Sequence, residues 1–225
     1  MKRIRSLHKN LVEKYHVKPI LKELKKNAHG KLVDIGCGEK PFHKYLVDLV
    51  DEYIGVDHSN TVHSKQNIDV FAEVYNLPFA KNSFDIAILT QVIEHLENPS
   101  EALNEINRIL KPEGLLFISW PFLYPIHEAP RDFYRYTKYG MKHLVLGSGF
   151  EIVKLNSSSG FWITIFGFTS KYIYDKSYYF YLFLYPFLVI FKIICLILDF
   201  LDQNTSSKER WTWNYYGVFK KKQDE

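Results

Sequence analysis

The 225-residue chain is poor in cysteine, with only Cys37 and Cys195. Two are too few for a disulfide-stapled scaffold or a four-cysteine zinc site, and they fit a reducing compartment. Glycine and proline are modest as well, at 11 and 9 residues, which excludes collagen-like and low-complexity material. Met1 to Lys31 lacks a continuous apolar core and a small-residue cleavage site, so no secretory signal is expected there. No internal repeat is visible. What is present is 47% apolar and 24% charged residues, which excludes a disordered chain. The length suits one large domain, or one domain carrying an insertion.

Charge and aromatics are unevenly spread. The net charge is +4, yet Met1 to Lys31 holds ten Lys and Arg against Glu13 and Glu23, leaving a mildly acidic body. Fifteen aromatics fall between Phe161 and Leu201. In the basic segment Ile4, Leu7, Leu11, Val12 and Tyr15 recur at helical spacing, and a second helix is expected from Pro19 to Lys26.

Short apolar runs then alternate with helical stretches. Strands are expected at Leu32–Ile35, Tyr53–Asp57, Ile68–Glu73, Phe84–Leu89 and Leu115–Ser119, with a further pair at Phe150–Leu155 and Trp213–Phe219. A helix through Ala102, Leu103, Ile106, Ile109 and Leu110 opens at Pro99-Ser100-Glu101 and ends at Lys111-Pro112-Glu113-Gly114. Strands that are apolar throughout, alternating with helices, argue for an α/β fold with a parallel sheet covered on both faces.

Asp34-Ile35-Gly36-Cys37-Gly38 closes the first strand, where glycines let backbone N–H groups approach a ligand. Asp57 ends the second strand 19 positions after Gly38, well placed for both hydroxyls of a ribose. Two cofactors compete for this pattern. A nicotinamide dinucleotide fingerprint asks for a third glycine where Pro41 stands.

The blocks LVDIGCGEKPF (32–42), YIGVDHS (53–59), EVYNLPFAKNSFDIAILTQVIEHLENP (73–99) and LNEINRILKPEGLLFIS (103–119) together resemble the class I S-adenosylmethionine-dependent methyltransferases, in particular the methyltransferase type 11 group. The resemblance covers roughly Lys31 to Phe150. It implies a Rossmann-like doubly wound sheet of seven strands, the last antiparallel, and S-adenosyl-L-methionine as cofactor. Asp34 and the Gly36, Cys37 and Gly38 backbone would hold its amino-acid end, Asp57 its ribose, and His58 its adenine. Glu73 would accept from the adenine amino group. Glu73 and Val74 replace the Asp-Ala pair usual in the family, which weakens that contact. Thr90, Gln91 and His95 would border the methionine moiety. Asp85 is expected to make structural contacts, and Cys37 to be a small filler.

The stretch 120–137 (WPFLYPIHEAPRDFYRYT) carries three prolines and should be a stiff loop at the ligand edge of the sheet. Methyl transfer to a hydroxyl is an in-line displacement that also needs a proton removed. His127 is the candidate base, with Glu128 or Asp132 to orient or replace it. Arg131 and Arg135 could pair with a phosphate or carboxylate on the acceptor, and Tyr134 and Tyr136 complete the candidate substrate surface. His127 with Glu128 alone is too little for a metal site, so none is expected.

Residues 178–198 (YYFYLFLYPFLVIFKIICLIL) approach the ~20 needed to span a bilayer. A single crossing would strand the last strand on the wrong side of the sheet it completes. Pro186 is expected to divide the run into two shorter helices. A hairpin or in-plane anchor in one leaflet is therefore favoured over a protein-covered lid or dimer face, with the basic N-terminal segment attracting anionic headgroups. The expected organisation is a basic helical segment (1–30), a cofactor-binding domain (31–160 with 208–222) and an apolar helical insertion before the last strand (161–207).

The expected activity is methylation of a small-molecule or lipid-linked acceptor. The proline-rich loop with an apolar insertion looks like family members associated with cell-surface polysaccharide synthesis, which favours a sugar hydroxyl. The alternatives are an isoprenoid quinone or other membrane lipid as acceptor, a hydride-transfer enzyme, and an inactive membrane-docked cofactor-binding module. The expected location is cytoplasmic, at the inner face of the cytoplasmic membrane if 161–201 docks there. The acidic body without a recognition motif speaks against nucleic acid, and the sequence leaves the oligomeric state open.

Overall fold

The computed structural model describes residues 11–201 and 207–223. Ile4 and Leu7 of the expected first helix lie outside them. A π-helical stretch, Glu13–Val17, leads directly into helix α1 (Lys18–Asn27), so the described part of the two expected N-terminal helices forms one run.

Seven strands form one sheet: β1 (Lys31–Ile35), β2 (Glu52–Asp57), β3 (Val70–Phe71), β4 (Phe84–Thr90), β5 (Leu110–Pro121), β6 (Phe150–Ser157) and β7 (Asn214–Lys221). Their spatial order is β3-β2-β1-β4-β5-β7-β6, with the last strand of the chain antiparallel to the rest. In register, Asp34 of β1 lies beside Gly55 of β2 and Ile88 of β4. The chain reverses its direction of winding between β1 and β4, which opens a crevice at the carboxyl ends of those strands. The central strands are apolar because both faces are covered: Leu32, Val33, Ile86, Ile88, Leu116 and Phe117 are all fully buried. β3 is only two residues long, shorter than the run Ile68–Glu73 suggested.

Helix α2 (Pro99–Ile109) starts with Pro99 in its first turn and buries Ala102, Leu103, Ile106 and Ile109. β5 follows without a break, so Lys111-Pro112-Glu113-Gly114 lies within the strand rather than in a separate turn. The sheet absorbs the extra residues as an irregularity, for Phe84 pairs with Leu110 but Ile86 with Leu115. Helix α3 (Lys138–Gly147) is capped by Thr137, whose Oγ1 accepts from the Gly140 N–H at 3.0 Å.

The chain forms two compact units. The larger holds Ile20–Pro121, Ile126–Leu155 and the described residues of Tyr216–Glu225, and with them most of the sheet. Residues 20–30 therefore belong with the sheet, where Glu23 of α1 accepts from the Lys154 ammonium of β6 at 2.7 Å. The smaller unit holds the described residues of Met1–Pro19 with Phe122–Pro125 and Asn156–Tyr215. Its main body is a hairpin of α4 (Phe161–Lys176) and α5 (Tyr178–Leu201), separated by Ser177. Leu11, Tyr15, Ile163, Phe166, Cys195 and Trp213 make its core. Gly167 is required there, since a Cβ would come within 2.7 Å of the Trp213 ring.

Pro186 does not divide α5, which continues through it for 24 residues. The missing N–H removes one backbone bond, a cost of about 3 kcal/mol. Packing of Tyr185, Val189, Phe191, Cys195 and Leu196 against the core of this unit offsets it. The opposite face of α5 is apolar as well: Phe183, Phe187, Ile190, Ile194, Ile197 and Leu201 are all exposed. By length and composition α5 could cross a membrane.

Candidate functional site

The site begins where β1 ends. Gly36 has φ +68°, and a Cβ on it would stand 2.3 Å from Val92 Cγ2, so only glycine fits. The Gly36 and Cys37 N–H groups donate to the Val56 carbonyl at 2.9 and 3.0 Å, locking the turn onto β2. At the end of β2 the Asp57 carboxylate accepts from the Gly38 N–H at 2.9 Å and the His58 N–H at 2.8 Å, one on each oxygen. It is thereby fixed, and each oxygen keeps lone-pair capacity for a ligand hydroxyl. His58 Nδ1 is buried and has no hydrogen-bond partner among the described residues.

These groups open into a cleft of about 400 Å³. Gly36, Asp57, His58, Glu73, Gln91 and His95 line it on the sheet side, and Glu128 and Arg131 on the side of the proline-rich loop. Gln91 sits at φ +55° and is held by Ser119, to whose carbonyl it donates its backbone N–H at 2.8 Å and to whose hydroxyl its amide at 3.2 Å. Asp34, Cys37, Gly38, Val74 and Thr90 are not among the lining residues. Asp34 is buried and accepts from the Tyr53 hydroxyl at 2.5 Å. Burial pushes its carboxyl up to about 7, reinforced by Asp57 and opposed by the Tyr53 hydrogen bond and the Lys40 charge. Cys37 is buried, and burial pushes its thiol up to about 12, so it acts as a filler and not as a nucleophile. Asp85 is structural: it accepts from the Lys111 ammonium at 2.7 and 2.8 Å and from the Lys31 N–H at 2.8 Å.

The Glu94 carbonyl ties the loop to the turn after β4. Glu94, in a 3-10 turn at Ile93–His95, accepts through its backbone oxygen from the N–H groups of Phe133 at 2.9 Å and Tyr134 at 3.2 Å. This brings His127 against His95, with ring centroids 4.8 Å apart and the rings nearly edge to face. His127 is not among the residues lining the cleft. Its Nδ1 faces Asp132 Oδ2 at 3.3 Å, and its Nε2 faces Glu94 Oε1 at 3.8 Å. Burial pulls the imidazole below the usual histidine value, with Asp132 opposing. Burial also works against charge on Asp132, but the Arg135 guanidinium and the His127 N–H outweigh it and hold the carboxyl at about 2.

Arg135 donates to Asp132 at 2.5 and 2.6 Å and so braces the loop. Of the three candidate catalytic residues, Glu128 alone lines the cleft, and Asp132 is buried behind His127. Tyr134 donates to the Glu97 carbonyl at 3.2 Å, and the Tyr136 carbonyl accepts from Trp120 Nε1 at 2.9 Å. Sequence reasoning passed over Glu94 as a functional group, although it precedes His95 directly. It also passed over Tyr75 and His63, which line the cleft from the loops after β3 and β2.

The family described as a methyltransferase domain matches residues 33–118. The ubiquinone biosynthesis O-methyltransferase of Pelagibacter ubique is 27% identical over 126 residues, 52% of this chain and 51% of that protein. The demethylmenaquinone methyltransferase of Paenarthrobacter aurescens is 30% identical over 120 residues, 51% of this chain and 46% of that one. The chain thus spans about half the length of these curated relatives. Among solved structures, the Haemonchus contortus phosphoethanolamine N-methyltransferase 2 in complex with S-adenosyl-L-methionine superposes with a TM-score of 0.57 at 18% identity. That match covers 92% of this chain and 53% of the other, and it is a likeness of fold.

Proposed function

The chain carries a class I S-adenosylmethionine-dependent methyltransferase domain, and from that premise we propose that it methylates a hydroxyl on a membrane-resident amphiphile. The observation that carries the acceptor class is the apolar outer face of α5. A helix that is apolar on all sides needs either a protein or a lipid environment around it. Phe183, 72% exposed, and Phe187, 65% exposed, have neither in the isolated chain. A hairpin resting in one leaflet satisfies them and raises the local concentration of a lipid acceptor for the chain that carries it. Two relatives named for quinone methylation point the same way. No feature of the cleft singles out a sugar.

The residues fit the cofactor. Asp57 has lone-pair capacity for two hydroxyls, and His58 Nδ1 is buried without a partner beside it. Glu73 stands on the same side of the cleft, where an adenine amino group can donate to it. Glu128 and Glu73 supply negative charge at the cleft, and buried Asp34 adds to it as pH rises above about 7, which suits a sulfonium with an ammonium group. When bound, S-adenosylmethionine supplies an electrophilic methyl group and leaves as the neutral thioether.

The chain's own residues supply position and a proton acceptor. Gln91, fixed by Ser119, and His95, fixed by the Arg131 carbonyl at 2.5 Å, border the space between cofactor and loop. Glu128 faces that space from the loop side. An acceptor hydroxyl held there in line with the donated methyl group would pass its proton to Glu128. Arg131, exposed at the rim, is free to meet an anionic part of the acceptor.

The test is incubation of the full chain with methyl-labelled S-adenosylmethionine and a total membrane extract, followed by lipid extraction. Label in a lipid-soluble product supports the reading. Label confined to water-soluble sugar nucleotides contradicts it.

A further inference from the structure

Behind the cleft wall stands a carboxylate with no evident structural purpose. The Glu94 side chain is 0% exposed, and neither of its oxygens has a hydrogen-bond partner among the described residues. An ionised carboxylate in that state is costly unless something satisfies it. Two imidazole nitrogens face it, His95 Nε2 and His127 Nε2, each 3.8 Å from Glu94 Oε1. The donor atoms of these three residues all lie within 4.8 Å of one another.

The outer nitrogens of both rings are turned away from this spot and engaged. His95 Nδ1 faces the Arg131 carbonyl at 2.5 Å, and a carbonyl only accepts, so the proton sits on Nδ1 and the Nε2 lone pair points inward. His127 Nδ1 faces Asp132 Oδ2 at 3.3 Å. The Arg135 guanidinium is 3.4 Å from that same nitrogen, but its two short bonds go to Asp132. A carboxylate or carbonyl behind each imidazole is the arrangement that orients histidines as ligands.

We propose that Glu94, His95 and His127 bind one divalent transition-metal ion of the zinc class. Two imidazoles and one carboxylate select such an ion over magnesium or calcium, which prefer oxygen alone. Donors on one tetrahedral zinc stand about 3.3 Å apart, so the two 3.8 Å Glu94–histidine separations must shorten by about half an ångström and the widest donor separation, within 4.8 Å, by up to about 1.5 Å, through side-chain rotation. The ion gives the buried carboxylate the partner it lacks. Of the three ligands His95 alone also lines the cleft, and Glu128 Oε2 lies 4.0 Å from its Nε2. The binding of the ion does not depend on the methyl-transfer reading.

The experiment uses the untagged full chain, stripped with chelator and titrated with cobalt(II). One equivalent is expected to bind with micromolar or tighter affinity, to give visible absorption bands of a low-coordinate site, and to be displaced by zinc. Glu94→Gln and His127→Ala should weaken binding at least 100-fold. Asp132→Asn, which touches no ion, should weaken it about 10- to 100-fold. Circular dichroism and melting of each variant establish that it is folded, and Asp132→Asn keeps the test standing if a ligand variant is not. Asp57→Ala should leave cobalt affinity unchanged while lowering affinity for S-adenosylhomocysteine, which separates the ion's failure from the cofactor's. No saturable cobalt or zinc binding at 100-micromolar metal, roughly 100 times the weakest expected Kd, overturns the proposal. So does binding that folded Glu94→Gln and Asp132→Asn leave unchanged.

Discussion

Asp34 is where binding chemistry and stability pull against each other. The residue is 1% exposed, and its carboxyl titrates at about 7 in the folded chain against about 3.9 in an unfolded one. The groups facing it are the Tyr53 hydroxyl, the Lys40 ammonium, Asp57 and Cys37. Because the folded state holds this proton more tightly, stability is fully present below pH 4 and is lost as pH rises through 7. Replacing Asp34 by Asn removes the ionisation while leaving an oxygen for the Tyr53 hydroxyl. At 1.36 kcal/mol per unit, the integrated gain is about 4 kcal/mol at pH 8 and about 1.5 kcal/mol at pH 5. Urea unfolding at the two pH values reads this directly. The same substitution removes a buried negative charge that the proposed cofactor placement uses, so affinity for S-adenosylhomocysteine should fall at least tenfold at pH 8. An Asn variant no more stable than the parent at pH 8, or equally stabilised at both pH values, refutes the reasoning.

Three further outcomes follow from the geometry. Gly36→Ala puts a Cβ 2.3 Å from Val92 Cγ2 at φ +68°, and should cost about 2–4 kcal/mol in urea unfolding and abolish cofactor binding in calorimetry. Glu128→Gln should lower kcat about 10²- to 10⁴-fold while S-adenosylhomocysteine affinity stays within about twofold, because Glu128 meets the acceptor's proton. Phe183→Asp with Phe187→Asp, on the exposed face of α5, should abolish co-sedimentation with lipid vesicles and leave the melting temperature nearly unchanged.

The sheet was legible because its strands are runs of buried apolar residues closed by glycine or aspartate, as in Leu32–Ile35 before Gly36. The meeting of Asp57 with the glycine turn was legible for the same reason, since Gly38 and Asp57 come together where two parallel strands end side by side. Local signals failed where long-range packing decided the outcome. Pro186 reads as a helix breaker, but α5 keeps its course because its inner face is held by the core of the hairpin unit. Arg135 reads as a free cation for an anionic acceptor, and only the fold reveals that Asp132 has taken it. The approach of His127 to Glu94 and His95 has no sequence signature. It depends on two backbone N–H groups, from Phe133 and Tyr134, converging on the Glu94 carbonyl.

The central claim is that the cleft at the ends of β1 and β2 holds S-adenosylmethionine through Asp57. Calorimetric titration of the full chain with S-adenosylhomocysteine, run beside NAD and beside Asp57→Ala, tests it most directly. One site of micromolar affinity for S-adenosylhomocysteine is expected, with no heat from NAD and at least a 100-fold loss in Asp57→Ala. Saturable NAD binding, or S-adenosylhomocysteine binding that Asp57→Ala leaves intact, contradicts it.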